Sequence, residues 1–246
     1  MKKRGEKWIG YFDFLETLKE PGCPLCNRIK ELSRNFLDSL YYESVTDVGT
    51  RVKLRDAKGF CNFHAWMSTE IRNSGSGIAI IYKDLLDNEI NQLSKWLKKR
   101  KSSTERKSFR VWKKDLDSWL LGWKDKTSCP ICESIKTYEQ IDIGTLLDYI
   151  DEEAFSKKFK KSSGVCIRHL IKIIQTSDQH PNLLSLVEKQ LEKYSSLSEE
   201  LGEFIRKMDY RFSKEPKGSE VDSWRRVLEQ FAGHREIFGN EMDCRK

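Results

Sequence analysis

Apolar residues along the chain recur at intervals of three and four over long stretches and at intervals of two over none. Such spacing places them on one face of a helix with 3.6 residues per turn. Helical stripes of this kind run through Trp8 to Leu15, Ile78 to Leu97, Val111 to Leu121 and Leu183 to Ile205. A further helix is predicted from about Glu220 to Phe231, after the turn-like Glu215-Pro216-Lys217-Gly218-Ser219 and ending at Gly233. Sustained alternation with Asn-Gly turns, the signature of hairpins, is missing, so the chain is expected to be all-α.

The stripes repeat. Gly22-Cys23-Pro24-Leu25-Cys26 returns as Ser128-Cys129-Pro130-Ile131-Cys132, displaced by 106 positions. Gly59-Phe60-Cys61-Asn62-Phe63-His64 returns as Gly164-Val165-Cys166-Ile167-Arg168-His169, displaced by 105. Self-similarity at a fixed shift marks a duplicated structural unit. Each copy reads as a helix, a Cys-Pro-x-Cys opening a second helix, a short connection, a Cys-x-x-His opening a third, and a closing helix. The organisation expected is a first repeat over residues 1–100, a second over 108–205 and a C-terminal extension over 206–246 packed on the repeats. The basic run from Lys98 to Lys107 lies between the copies as a linker or an exposed continuation of the preceding helix.

Six of the seven cysteines and two of the four histidines occupy matching places in the two copies. Cys-Pro-x-Cys turns both thiolates towards one point, and proline is tolerated there because the first residues of a helix need no backbone donor. Cys and His three apart on the first turn of another helix supply two more donors. Three sulfurs and one nitrogen suit tetrahedral zinc. The nearest pairing along the chain gives Cys23, Cys26, Cys61 and His64 as one site and Cys129, Cys132, Cys166 and His169 as the other. Two zinc ions per chain are expected. An iron-sulfur cluster is the alternative, although such clusters are held mostly by four cysteines. Buried thiols and disulfides are the plainer reading, disfavoured by the repeated spacing and by the cytoplasmic setting inferred below.

Four protein ligands leave a tetrahedral ion no vacant position, so a structural role is expected rather than Lewis-acid catalysis. Arg168, beside His169, and the backbone amides at the helix starts are candidates for contacts to the anionic centres.

The motifs CPLC, GFCNFH, CPIC and GVCIRH at this spacing, with the tail segments Asp209-Tyr210-Arg211-Phe212 and SWRRVLEQFAG from Ser223, resemble an uncharacterised prokaryotic family known as domain of unknown function 6062. The resemblance spans nearly the whole chain. It implies a histidine just before the Asp209 to Phe212 run, where this chain has Met208. It implies the architecture and brings no activity with it.

Composition limits the partners. Of 246 residues, 38% are hydrophobic, and seven Trp, eight Tyr and twelve Phe exclude a chain unable to fold. No run of about eighteen apolar residues occurs, so no membrane span is expected. The basic start Met1-Lys2-Lys3-Arg4 lacks the apolar stretch of a signal peptide, which points to the cytoplasm. The net charge of +7 permits an acidic partner without demanding one. Basic runs at Lys98 to Lys101, Arg106-Lys107, Lys113-Lys114 and Lys157 to Lys161 could form a patch for RNA or DNA, but Asp151-Glu152-Glu153 lies close by and no nucleic-acid motif accompanies them.

In the tail, Asp209 to Phe212 and Trp224-Arg225-Arg226 could stack on bases or grip phosphates; the plainer reading packs the last helix on the body through Trp224, Leu228 and Phe231. Trp112, Trp119 and Trp123 read as a core stripe. His180, His234 and Cys244 are isolated, and no Ser-His-Asp, P-loop or GxGxxG pattern is present.

The function expected is a non-enzymatic, zinc-stabilised helical module for an unknown protein partner. The alternatives are a factor binding RNA or DNA through its Lys and Arg surface, and a thiol-based redox-responsive or iron-sulfur protein.

Overall fold

The computed structural model describes residues 9–105, 122–124, 126–234 and 237. Every regular element among them is helical: α1 (Ile9–Thr17), α2 (Pro24–Ser39), α3 (Val48–Asp56), α4 (Asn62–Met67), α5 (Gly75–Glu105), α6 (Pro130–Tyr149), α7 (Glu153–Lys161), α8 (Ile167–Thr176), α9 (Leu183–Lys207) and α10 (Ser223–Ala232). A wide π turn, Leu40–Ser44, prolongs α2, and 3-10 turns occupy Ser68–Glu70 and Ser219–Asp222. The run beginning at Lys98 is a continuation of α5, which reaches Glu105. Trp112, Trp119, the basic pairs Arg106-Lys107 and Lys113-Lys114, the stripe from Val111 to Leu121 and Cys244 lie outside the described residues.

The chain forms two compact units that do not coincide with the repeats. One comprises residues 1–31 and 136–246, the other residues 32–135. The boundary between them therefore falls inside α2 and inside α6.

In the first unit, Tyr11, Phe14, Leu15 and Leu18 from α1 pack with Leu146, Leu147 and Ile150 of α6, Phe155 and Phe159 of α7, and Ile173 of α8. The rings of Phe14 and Phe155 stack with centroids 5.9 Å apart, and the Tyr11 hydroxyl donates to Glu152 over 2.7 Å. Burying aromatic and aliphatic side chains of this size contributes about 1.5–3 kcal/mol each. The tail belongs to this unit. Gln230 donates to the Ser163 carbonyl, Arg226 pairs with Glu200, and Lys207 pairs with Glu220.

The tail corrects one expectation. Ser223 and Gln230 face inwards, while Trp224, Leu228 and Phe231 are 43%, 59% and 65% exposed. The last helix is thus held by polar contacts, and its apolar stripe faces out.

In the second unit, Leu37 and Leu40, Leu54 of α3, Met67 of α4, Ile81 of α5 and Ile131 and Ile135 of α6 are all buried. Asp47 caps α3 by accepting from the Thr50 amide over 2.7 Å, a contact typically worth about 1 kcal/mol. Arg51 and Arg55 both reach Asp84, and Lys58 reaches Glu89, tying α3 and its C-terminal turn to α5. Trp123, expected in a core, is 39% exposed; its indole donates to Glu89, and the Lys58 ammonium lies over its ring.

Candidate metal centres

Each ligand motif sits at the start of a helix for a local reason. Pro24 and Pro130 are the first residues of α2 and α6, with Cys23 and Cys129 immediately before them. Cys61 and Cys166 stand just outside α4 and α8 in extended conformation, with ψ of 164° and 158°. The chain reaches these last two cysteines through Gly59 and Gly164, whose φ values of +95° and +73° are costly for any residue with a Cβ. At Gly164 a Cβ would also come within 2.4 Å of the Gln190 side chain. Helix starts carry partial positive charge and unpaired amides, so thiolates gathered there are stabilised.

All eight sequence-predicted donors are brought together, in two quartets of three sulfurs and one nitrogen. The pairing differs from the one expected. Cys23 and Cys26 meet Cys166 and His169, whereas Cys129 and Cys132 meet Cys61 and His64. Each quartet thus joins the Cys-Pro-x-Cys of one repeat to the Cys-x-x-His of the other, and each lies wholly within one unit.

The reason is visible along α2. His64 packs on Ser33, with Nε2 and Oγ 3.2 Å apart. Ser33 lies seven residues beyond Cys26 in the same helix, about 10 Å further at 1.5 Å per residue. The second half-motif of each repeat therefore cannot close on the first.

In the quartet of the first unit, His169 Nδ1 lies 3.4, 3.5 and 3.2 Å from the sulfurs of Cys23, Cys26 and Cys166, and the Cys26 and Cys166 sulfurs are 3.9 Å apart. In the second unit, His64 Nδ1 lies 3.2, 3.7 and 3.4 Å from Cys61, Cys129 and Cys132, with the Cys61 and Cys132 sulfurs 3.6 Å apart. A zinc tetrahedron with bonds of about 2.3 Å to sulfur and about 2.05 Å to nitrogen has edges near 3.8 Å and 3.6 Å. These distances lie near those edges, and the four donor atoms of each quartet all lie within 4.8 Å of one another. Their sulfurs are far beyond the disulfide bond length of about 2.05 Å, and none of the six cysteines forms a disulfide.

Electrostatics also point to a shared cation. In the second unit, Cys129 is pushed down because Cys132 donates to it, and Cys132 is pushed up by the same bond. Burial alone would lower His64, but its bonds to Cys129 and Cys61 outweigh that and lift it to about 9. In the first unit, burial opposes and the Cys23 charge drives a large rise at His169. Packed thiols cannot all ionise together unless a cation shares their charge, and both quartets are able to hold one.

The outer nitrogens are held as well. His169 Nε2 lies 3.3 Å from Glu139, whose other oxygen accepts from Lys172 over 2.5 Å. Carboxylates and hydroxyls in this position fix the ring and raise its basicity. Ser33 and Glu139 occupy equivalent places at the shift of 106. Aligning the repeats through α2 and α6 carries that signal, which attention to Arg168 alone passes over. The quartets differ in exposure. All four donors of the first unit are buried, whereas Cys61 and Cys132 of the second are partly exposed.

Comparison with known proteins adds three findings. Residues 12–236 match the model of a family described as a family of unknown function, DUF6062. An uncharacterized 23.9 kDa protein in the xynA 3'region of Caldicellulosiruptor sp. (strain Rt8B.4) is 26% identical over 230 residues, which cover 89% of this chain and 98% of that protein. No solved structure matches the chain.

Proposed function

The chain belongs to DUF6062, whose description assigns no activity, and we propose that it is a non-enzymatic, zinc-stabilised helical protein of the cytoplasm that presents a rigid surface to a protein partner. Cys23, Cys26, Cys166 and His169 would hold one ion; Cys61, His64, Cys129 and Cys132 would hold the other. The observation that carries the reading is the closure of each quartet: four protein donors within 4.8 Å of one another suffice to fill every position of a tetrahedral zinc ion. The ion supplies cross-linking of helix starts rather than activation of water. Glu139 and Ser33 orient the two imidazoles, and helix termini share the negative charge of three thiolates around a dication.

The close approach of the donors, all within 4.8 Å of one another, suits a single ion, whereas a four-iron cluster takes each ligand on a separate iron. No helix among the described residues is long and apolar enough to cross a membrane. Elemental analysis of the purified chain tests the proposal: zinc near two per chain without inorganic sulfide supports it, and iron with sulfide refutes it.

A second reading, a thiol-based redox response, is favoured by one observation only. Cys61 and Cys132 are open enough to meet an oxidant, while the quartet of the first unit is shielded. Metal release from the second unit alone at low peroxide would support it.

A further inference from the structure

Helix α5 carries an apolar seam beyond the part that packs. Ile81 is buried and Tyr82, Leu85 and Glu89 are half-buried. On another face, Leu86, Ile90, Leu93 and Leu97 follow at intervals of four, three and four, and they are 61%, 51%, 41% and 47% exposed. This spacing is the seam of a two-stranded coiled coil, with each side chain able to enter a hole on a facing helix. Exposed apolar rows of this regularity mark contact surfaces.

The repeat shows that the fold does not require the seam. At the shift of 105 that relates the Cys-x-x-His motifs, buried Ile81 corresponds to buried Leu186, and Leu85 to Gln190. On the outer face, Leu86 corresponds to Leu191, but Ile90, Leu93 and Leu97 correspond to Ser195, Ser198 and Gly202 of α9. The tail leans on that part of α9, through Arg226 to Glu200 and Glu220 to Lys207. Among the described residues no such tail follows the first repeat, and its equivalent face is apolar and exposed.

The charges along α5 select the occupant. Lys83 and Asp84 precede the seam, Asp87 and Glu89 lie in its first half, Lys95 lies in its second half, and Lys98 and Lys101 follow it. Asp84 and Glu89 are engaged by α3 and its C-terminal turn; Asp87 is exposed and pairs with Lys83 of its own helix.

We infer that the second half of α5 pairs antiparallel with the same segment of a second copy of this chain, about a two-fold axis between Asn91 and Gln92. Leu86 then faces Leu97 of the second copy, and Ile90 faces its Leu93. Asp87 lies beside the second copy's Lys98 and Lys101. A parallel pair would instead set Asp87 near the second copy's Asp87, and Lys98 and Lys101 near their own counterparts, and like charges so placed repel. The antiparallel contact is self-complementary and closes after two copies. Four aliphatic residues a side fall short of the roughly 800 Å² per partner of a standard interface, so the dimer dissociates on dilution.

Sedimentation velocity of the full, zinc-loaded chain over low to high micromolar concentration tests this. The wild type should pass from monomer to dimer. Ile90→Glu should weaken the dimer at least tenfold with unchanged zinc content and melting temperature. Leu228→Glu, on the apolar stripe of α10, should leave it unchanged. Asp87→Lys should also weaken it, and adding Lys98→Glu and Lys101→Glu should restore it. A monomer at every concentration overturns the proposal, as does a dimer that survives Ile90→Glu or one broken by Leu228→Glu. Failure of the charge reversal to restore pairing overturns the antiparallel arrangement.

Discussion

The pairing of the ligands can be tested by counting zinc in double variants. Cys26→Ser removes one of three thiolates from the quartet of the first unit. A structural zinc site can contribute on the order of 10 kcal/mol, comparable with the whole stability of a domain at about 5–15 kcal/mol. The single variant should therefore lose its ion and most of the stability of that unit. Adding Cys166→Ser strikes the same quartet, so the second loss should be small and the chain should retain one zinc. Adding Cys61→Ser instead strikes the other quartet, so the chain should retain none. Changes within one cooperative site are non-additive, whereas changes at separate sites add. Metal content by mass spectrometry, with melting curves alongside, reads both quantities. If Cys26→Ser with Cys61→Ser keeps one ion while Cys26→Ser with Cys166→Ser keeps none, the exchange of half-motifs between repeats is wrong.

Three other expectations follow from neighbouring contacts. Glu139→Gln leaves shape intact but removes the charge facing His169, and it should weaken zinc at the first unit's quartet by about 10–100-fold in chelator competition; unchanged affinity would deny Glu139 that role. Brief treatment with dilute peroxide should modify Cys61 and Cys132 before Cys23, Cys26 or Cys166, as peptide mass mapping can report, and the reverse order would contradict the exposure difference. Burial pushes the Lys193 ammonium down to about 8 while it donates to the carbonyls of Lys160 and Ser162. The folded chain therefore binds fewer protons than the unfolded one between pH 8 and the ordinary lysine value of 10.5, so stability should rise with pH across that window. Lys193→Met should flatten the rise in melting temperature; an identical slope would exclude Lys193 as its source.

Much of this architecture is legible in the sequence because helical spacing and the paired motifs each have a local cause. Proline at the first turn, glycine before the second cysteine and apolar stripes every three or four residues all act within a few residues of themselves. The pairing of the motifs has no such local sign. The two halves are chemically equivalent, so proximity along the chain favours Cys26 with Cys61, and only the length of α2 decides otherwise. Seven residues of helix separate Cys26 from Ser33, the place where His64 arrives. The last helix misleads for a related reason. The spacing of Trp224, Leu228 and Phe231 reads as a packing stripe, yet Ser223 and Gln230 are the buried residues, and Gln230 and Arg226 hold the helix through a hydrogen bond and an ion pair. Periodicity finds the face but not the side that turns inwards.

The exchange of half-motifs also sets an order of assembly during synthesis. The donors from Cys61 to Cys132 are nested within the span from Cys23 to His169. The inner set is complete once Cys132 has left the ribosome. The outer set waits for His169, a delay of about 2 to 7 s at 5–20 residues per second. Through that interval Cys23 and Cys26, the first of the eight donors to be made, lack Cys166 and His169, and the nascent chain must keep them from metals and oxidants until its later half arrives.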